Sequence, residues 1–186
     1  LKDEFRRREG VPLTYMPFFI KAVVQCLREE PLLNATWQDG KIVVNQRINV
    51  GLAVGVEKGL VVPVIHDADR HSIASLAREV HRLAEAARAG RLTVADVQGG
   101  TITLNNTGAL GIVLSKSILN PPQTAICNME AVVKRPVVIN DAIAIRDMVN
   151  ISLSFDHRVM DGVTVGRFLR ALKARMEAYD ETTSLY

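Results

Sequence analysis

The sequence predicts an α/β protein, a two-layer sandwich in which a mixed β-sheet carries helices mainly on one side. Three observations point there. Strands and helices interleave, yet long β stretches follow one another with no helix between them, unlike a doubly wound sheet. No G-x-G-x-x-G or G-x-x-x-x-G-K-[ST] pattern occurs, so a dinucleotide or P-loop site has no support. The 186 residues, 48% hydrophobic and 23% charged, suffice for a single domain with a real core.

The elements follow in order. Charged residues dominate positions 2–9, and Gly10 and Pro12 then break the segment. Over residues 14–30, Phe19, Ile20, Val23, Val24 and Leu27 recur at helical spacing. Pro31 ends that helix by removing a donor and clashing with the previous turn. Asp39-Gly40 signals a turn, and Ile42-Val43-Val44 reads as a short strand. A long β stretch follows, in which Val50, Leu52, Val54 and Val56 alternate with Gly51, Ala53 and Gly55. Small rather than polar alternates predict that both faces are covered or closely approached. After a turn at Glu57-Lys58-Gly59, residues 60–65 read as a second strand, placed at an edge or bulge by Pro63.

Ser72 caps a helix whose stripe runs Ile73, Leu76, Ala77, Val80, Leu83, Ala84 and Ala87 and stops at Gly90. Residues 93–97 form one more helical turn. Residues 101–104 read as a strand entering a loop at Asn105-Asn106-Thr107-Gly108, and Asn120-Pro121-Pro122 as a rigid turn. Residues 125–129, 131–139 and 150–157 read as strands. Asp161 or Gly162 opens the last helix, with Val165, Phe168, Leu169, Leu172 and Met176 on one face.

Composition excludes several classes. The balance is neither that of a disordered chain nor that of a disulfide scaffold. A net charge of +3 is too small to argue for nucleic-acid binding. No apolar run approaches the ~20 residues of a membrane span, and Leu1-Lys2-Asp3-Glu4 does not open a secretory signal. Cys26 and Cys127 lie in apolar runs and are expected as free, packed thiols in a reducing compartment. His66, His71 and His81 have no ligand partners at metal spacing, so no metal is expected. Arg6-Arg7-Arg8 reads as an exposed helix face.

The chemistry concentrates in Ser152-Leu153-Ser154-Phe155-Asp156-His157-Arg158-Val159-Met160-Asp161-Gly162. Strand periodicity groups Leu153, Phe155 and His157 on one face and Ser152, Ser154 and Asp156 on the other. Ser154 therefore cannot serve His157 as a triad nucleophile. A histidine on the apolar face at a strand end is expected to be partly desolvated, which favours the neutral imidazole able to accept a proton. Each residue also has a plain role. A lone histidine at a strand end is more often packing than catalysis, and Asp161 suits a helix cap.

In combination, His157-x-x-x-Asp161-Gly162 resembles the signature of the dihydrolipoyl acyltransferases, core components of the 2-oxo acid dehydrogenase complexes. The chloramphenicol acetyltransferases share a shorter version. Gly100-Thr101-Ile102-Thr103-Leu104-Asn105-Asn106-Thr107-Gly108 resembles that family's strand and loop before the oxyanion donor. Ile118-Leu119-Asn120-Pro121-Pro122-Gln123-Thr124-Ala125-Ile126 resembles its INPPQ run, and Leu60-Val61-Val62-Pro63-Val64-Ile65 its GLVVPVI strand. The resemblance covers essentially the whole chain in order. It implies a chloramphenicol acetyltransferase-like fold over residues 1–186, an acyltransferase catalytic domain lacking its N-terminal segment. An arm, an arginine-containing segment and a first strand would precede Lys2, and the arginine expected to pair with Asp161 would lie there.

The implied reaction passes an acyl group between the thiol of dihydrolipoamide and that of coenzyme A. His157 would be the general base, Asp161 an orienter of the segment and Asn105 the oxyanion donor. The family usually has Ser or Thr at the Asn105 position, and an amide can donate there too. Asn105 could also be a plain turn residue, with Asn106 or Thr107 as donor or none. The lipoyl group would sit on another domain, since no Asp-Lys-Ala lipoylation site occurs here. Implied partners are two further copies in a trimer that assembles into a larger core, with His157 and Asn105 meeting from neighbouring subunits. The decarboxylase and dihydrolipoyl dehydrogenase components would complete the complex, with no nucleic acid and no membrane. The location would be intracellular, cytoplasmic in a bacterium or the mitochondrial matrix in a eukaryote. Two other readings share the fold: a non-catalytic core subunit, and a coenzyme A-dependent acetyltransferase acting on a hydroxyl.

Overall fold

The computed structural model describes residues 1–186. The elements in chain order are α1 (Lys2–Glu9), α2 (Met16–Glu29), β1 (Ala35–Gln38), β2 (Lys41–Val44), β3 (Val50–Leu52), β4 (Val54–Val56), β5 (Gly59–Val61) and β6 (Val64–Ile65). Then come α3 (Ile73–Arg88), α4 (Val94–Val97), β7 (Ile102–Asn106), β8 (Ala125–Met129), β9 (Val133–Ile139), β10 (Ala142–Met148), β11 (Ile151–Phe155) and α5 (Gly162–Glu177).

The helices follow from their stripes and caps. On α2, Phe19, Ile20, Val23, Val24 and Leu27 are fully buried, as are Ala22 and Cys26 on the flanks. A helix buried so broadly lies inside a layer, and α2 packs between α3 and α5. The Ser72 hydroxyl accepts from the Ser75 amide at 3.2 Å and starts α3 as expected. Thr93 and Asp96 close a reciprocal capping box over α4. Arg6, Arg7 and Arg8 are exposed on α1, while Phe5 anchors it.

The central sheet has the order β11-β8-β7-β3-β6. β7 runs parallel to both β3 and β8, and the outer pairs are antiparallel, so the sheet is mixed. Val50, Leu52, Ile102, Leu104, Ala125, Cys127 and Met129 join the core formed with α2 and α5. Gly51, Thr103, Asn105 and Asn128 alternate with them and face the other way.

Four expectations change. The β stretch over residues 50–56 divides, because the Ala53 amide bonds to Leu104 O at 2.9 Å while β4 turns away to pair with β5. Close approach holds at Gly51, where a Cβ would lie 2.8 Å from Val62 Cγ1, but not at Gly55, where it would meet nothing. Residues 60–65 likewise split at Pro63, leaving β6 as the sheet edge. Asn105 and Asn106 belong to β7 rather than to a loop, because Asn105 pairs with Asn128 and Asn106 with Met129. Finally, β10 had no counterpart in the sequence reading. Asn140 and Asp141 both take positive φ, 50° and 60°, and fold it back on β9 over seven paired residues. Its Ile143 and Ile145 face solvent, so no burial pattern marks it.

Cys26 and Cys127 are free and buried. Burial raises both thiols above their ordinary value, which suits packing rather than nucleophilic chemistry. No helix is long and apolar enough to cross a membrane.

Candidate active site

The turn after β11 is built by Asp156. Its amide still pairs with Thr124 O at 2.8 Å, and its carbonyl then accepts from the amides of Val159 and Met160 at 3.0 and 3.3 Å. Its carboxylate holds the Arg158 guanidinium through two nitrogens, at 3.0 and 2.6 Å. Those bonds keep the Asp156 carboxyl below the usual carboxylate range. Arg158 lies over the Trp37 ring, 5.0 Å from its centroid. Val159 and Met160 are buried and pin the far side of the turn.

His157 projects from this fixed turn. The expected partial desolvation is not met within one chain, where His157 is exposed. The physical reason is that the backbone leaves the sheet at Asp156, so His157 never enters the apolar face. Its ring sits 5.4 Å from that of Phe155 at a 37° tilt.

Asp161, four residues on, takes the capping role. Its Oδ1 accepts from the Thr164 amide at 2.8 Å and starts α5. Bonds from the Thr164 amide and hydroxyl hold its carboxyl below the usual range, with help from the Val163 amide and Arg167. In doing so Asp161 fixes where the His157 turn joins α5.

Asn105 lies at the opposite end of the sheet. In the ladder, Phe155 pairs with Ala125, and Asn105 pairs with Asn128. Continuing the first register sets His157 level with Gln123, five positions from Asn128 and two strands across from β7. At about 3.3 Å per residue and 4.8 Å per strand, the two backbone positions stand roughly 19 Å apart. One chain therefore does not bring His157 and Asn105 together.

What Asn105 does meet was not anticipated. Its Nδ2 donates to Ser117 Oγ at 3.3 Å, and Ser117 Oγ donates to Asn128 Oδ1 at 2.6 Å. Asn128 Nδ2 donates to Ser152 Oγ at 3.0 Å, and Ser152 Oγ to Glu130 Oε1 at 2.8 Å. Glu130 is only 1% exposed. Its carboxylate also accepts from the Ser115 amide and hydroxyl, at 3.1 and 2.9 Å, and from the Thr107 hydroxyl. Burial pushes the Glu130 carboxyl up, but these donors outweigh it and hold it below the usual range. Gly108 allows the close approach, since a Cβ there would lie 2.3 Å from Glu130 O. The available signal was the polar alternation of Asn128 and Glu130 in an otherwise apolar buried segment.

Two of the other histidines are engaged elsewhere. His66 Nε2 lies 2.9 Å from Ala95 O and His71 Nδ1 2.7 Å from Ser75 Oγ. No three His, Cys, Asp or Glu side chains converge as a metal ion would require.

Residues 1–183 match the family model described as "2-oxoacid dehydrogenases acyltransferase (catalytic domain)". The chain is 50% identical, over its full length, to the lipoamide acyltransferase component of the branched-chain alpha-keto acid dehydrogenase complex of Bacillus subtilis (strain 168), covering 44% of that protein. It is 45% identical over 95% of its length to the dihydrolipoyllysine-residue succinyltransferase component of the 2-oxoglutarate dehydrogenase complex of Bartonella vinsonii subsp. berkhoffii, covering 43% of it. It thus spans less than half the length of these curated relatives. Among solved structures, a probable dihydrolipoamide acetyltransferase from Listeria monocytogenes 4b F2365 superposes with a TM-score of 0.96 at 52% identity, covering all of this chain and 80% of that one. The cubic core of a pyruvate dehydrogenase multienzyme complex superposes at 0.92 and 32% identity, covering 95% and 74%. A chloramphenicol acetyltransferase, at 0.58 and 14% identity over 94% and 82%, shares the fold. A family match across nearly every residue, on a mixed sheet with its helices to one side, means that this chain belongs to the 2-oxoacid dehydrogenase acyltransferases as a catalytic domain.

Proposed function

We propose that the domain transfers an acyl group between the thiols of dihydrolipoamide and coenzyme A, in a site completed by two copies of the chain. The observation that carries this reading is the separation of His157 and Asn105. An exposed imidazole on a rigid turn and an amide donor held in a network roughly 19 Å away are complementary halves. They meet only if one copy's β11 turn faces another copy's β7. The expected trimer, assembling into a larger core, supplies that arrangement, and the similarity to a cubic core supports it.

An ordinary thiol, with a pKa near ~8.5, is mostly protonated at neutral pH. His157 takes that proton, and the thiolate sulfur attacks the thioester carbonyl carbon. The carbonyl π electrons move to oxygen, and Asn105 donates an amide hydrogen to the oxyanion. The oxyanion collapses, the original carbon–sulfur bond breaks, and the departing thiolate recovers the proton from the His157 imidazolium. Asp161 contributes by anchoring the His157 turn to α5. Coenzyme A and a lipoyl group carried on another domain are the substrates. The decarboxylase and dihydrolipoyl dehydrogenase are the enzymes that must load and reoxidise that group.

The test is formation of acyl-dihydrolipoamide and free coenzyme A, separated by chromatography, by the full-length protein supplied with dihydrolipoamide and acetyl-, branched-chain acyl- or succinyl-coenzyme A. Transfer with one of the three, abolished in His157→Ala, is the expected result. Unchanged turnover in His157→Ala removes the mechanism. Transfer to a hydroxyl acceptor but not to dihydrolipoamide reassigns the substrate.

A further inference from the structure

The network behind Asn105 has a direction. An ionised carboxylate accepts hydrogen bonds and donates none. Thr107, Ser115 and Ser152 therefore all donate to Glu130. The Ser152 hydroxyl has one hydrogen, spent on Glu130 Oε1 with Ser115 O at 3.2 Å as its only other acceptor. Toward Asn128 it can only accept, so Asn128 turns its Nδ2 to Ser152 and its Oδ1 to Ser117. The Ser117 hydrogen is then spent on Asn128, and Ser117 can only accept from Asn105. Asn105 must present nitrogen, not oxygen, on this side. One of its two N–H bonds is used, and the other stays free.

We propose that Glu130 is a positioning residue for acyl transfer, setting through Ser152, Asn128 and Ser117 the face of the Asn105 amide that donates to the oxyanion. The inference rests on Asn105 being the donor proposed above. Without the carboxylate, each amide along the relay could rotate by 180° with similar shape, and Asn105 would offer the oxyanion a carbonyl oxygen for part of the time. Burial strengthens the effect, because hydrogen bonds in a low-dielectric interior polarise one another.

The experiment uses the full-length protein. Glu130→Gln keeps the shape but replaces one acceptor oxygen by a donor. Ser152→Ala cuts the relay at a half-buried position, and Ser152→Thr keeps the hydroxyl. Glu130→Gln and Ser152→Ala should lower kcat on the order of tenfold or more, within the range commanded by outer-shell partners of an active group. KM for both thiol substrates should hold within about twofold, as loss of a transition-state contact requires. Ser152→Thr should restore kcat. Glu130→Gln added to Asn105→Ala should cost nothing further, because both act through one amide. Full additivity overturns the relay, as does a failure of Ser152→Thr to rescue. A slow Asn105→Ala beside a normal Glu130→Gln and Ser152→Ala overturns the relay alone. Full turnover in Asn105→Ala removes the donor assignment together with the relay. An activity-free readout is the crystal structure of Glu130→Gln: the Asn105 amide should turn or split away from Ser117, and an unmoved amide overturns the inference. Should Glu130→Gln fail to fold, the structure and kinetics of Ser152→Ala decide.

Discussion

The two ends of the central sheet are built in opposite ways. At the β11 end, His157 is exposed on a turn whose backbone is pinned by Asp156, Val159 and Met160. At the β7 end, Asn105 is half-buried and tied through three side chains to a carboxylate that is itself almost fully buried. A proton acceptor must change charge and exchange protons with a substrate, so rigidity belongs in its backbone and freedom in its ring. An oxyanion donor acts without changing state, so it gains from being aimed in advance. Under the roles proposed for them, the same sheet gives each group the setting that its chemistry asks for.

Substitutions can break or sharpen that contrast. The largest effect is expected at the exposed end. His157→Ala should cut kcat by about 10²–10⁴-fold and leave the thermal midpoint unmoved, because the ring supports no part of the fold. A large fall in Tm would mean that the histidine is structural. Next comes Asn105→Ala, with a loss of about 10²–10³-fold, the range for one oxyanion donor. Its Tm should fall modestly as Ser117 loses a partner. Circular-dichroism melts beside the kinetics separate the two readouts.

Gly108→Ala should act on the network end through stability. Its Cβ would collide with Glu130 backbone that cannot swing aside. Overpacking of this kind costs about 1–3 kcal/mol, measurable by urea titration, with activity falling as Glu130 shifts. Equal stability would show that the loop relaxes freely.

Smaller is the effect at Asp161. Asp161→Ala should lower Tm most, and Asp161→Asn, which still caps but carries no charge, should lower it only slightly at neutral pH. The carboxyl lies below its ordinary value in the folded chain. Its contribution is therefore complete above the unfolded value near ~3.9 and lost as pH falls through the folded value. Glu130 obeys the same sign from its own unfolded value near ~4.3. Acid melts of wild type and Asp161→Asn should converge at low pH. Curves that stay parallel would mean that the carboxylate charge adds nothing to the cap.

Legibility in the sequence followed the density of local signals. Ser72 and Asp161 each cap the helix they precede, and the stripes on α2, α3 and α5 point to the buried layer. The strands around Asn105 were harder. Asparagine pairs favour loops locally, yet ladder pairing with Asn128 and Met129 holds this pair extended. β10 escaped because a ribbon with Ile143 and Ile145 turned outward has no inward face for a pattern to mark. His157 was recognisable by its neighbours, but its exposure depended on where the backbone leaves the sheet.

The amino-acid order by itself determined the helices, their caps, the mixed character of the sheet and the segments that carry the chemistry. The helices, caps and segments depend on residues within a few positions of one another, and the class of the sheet on the order in which strands and helices follow. Only the tertiary structure decided that His157 and Asn105 stand at opposite ends of one sheet, and that Glu130 lies behind Asn105. Strand order and register join residues far apart along the chain, and neither periodicity nor propensity contains that information.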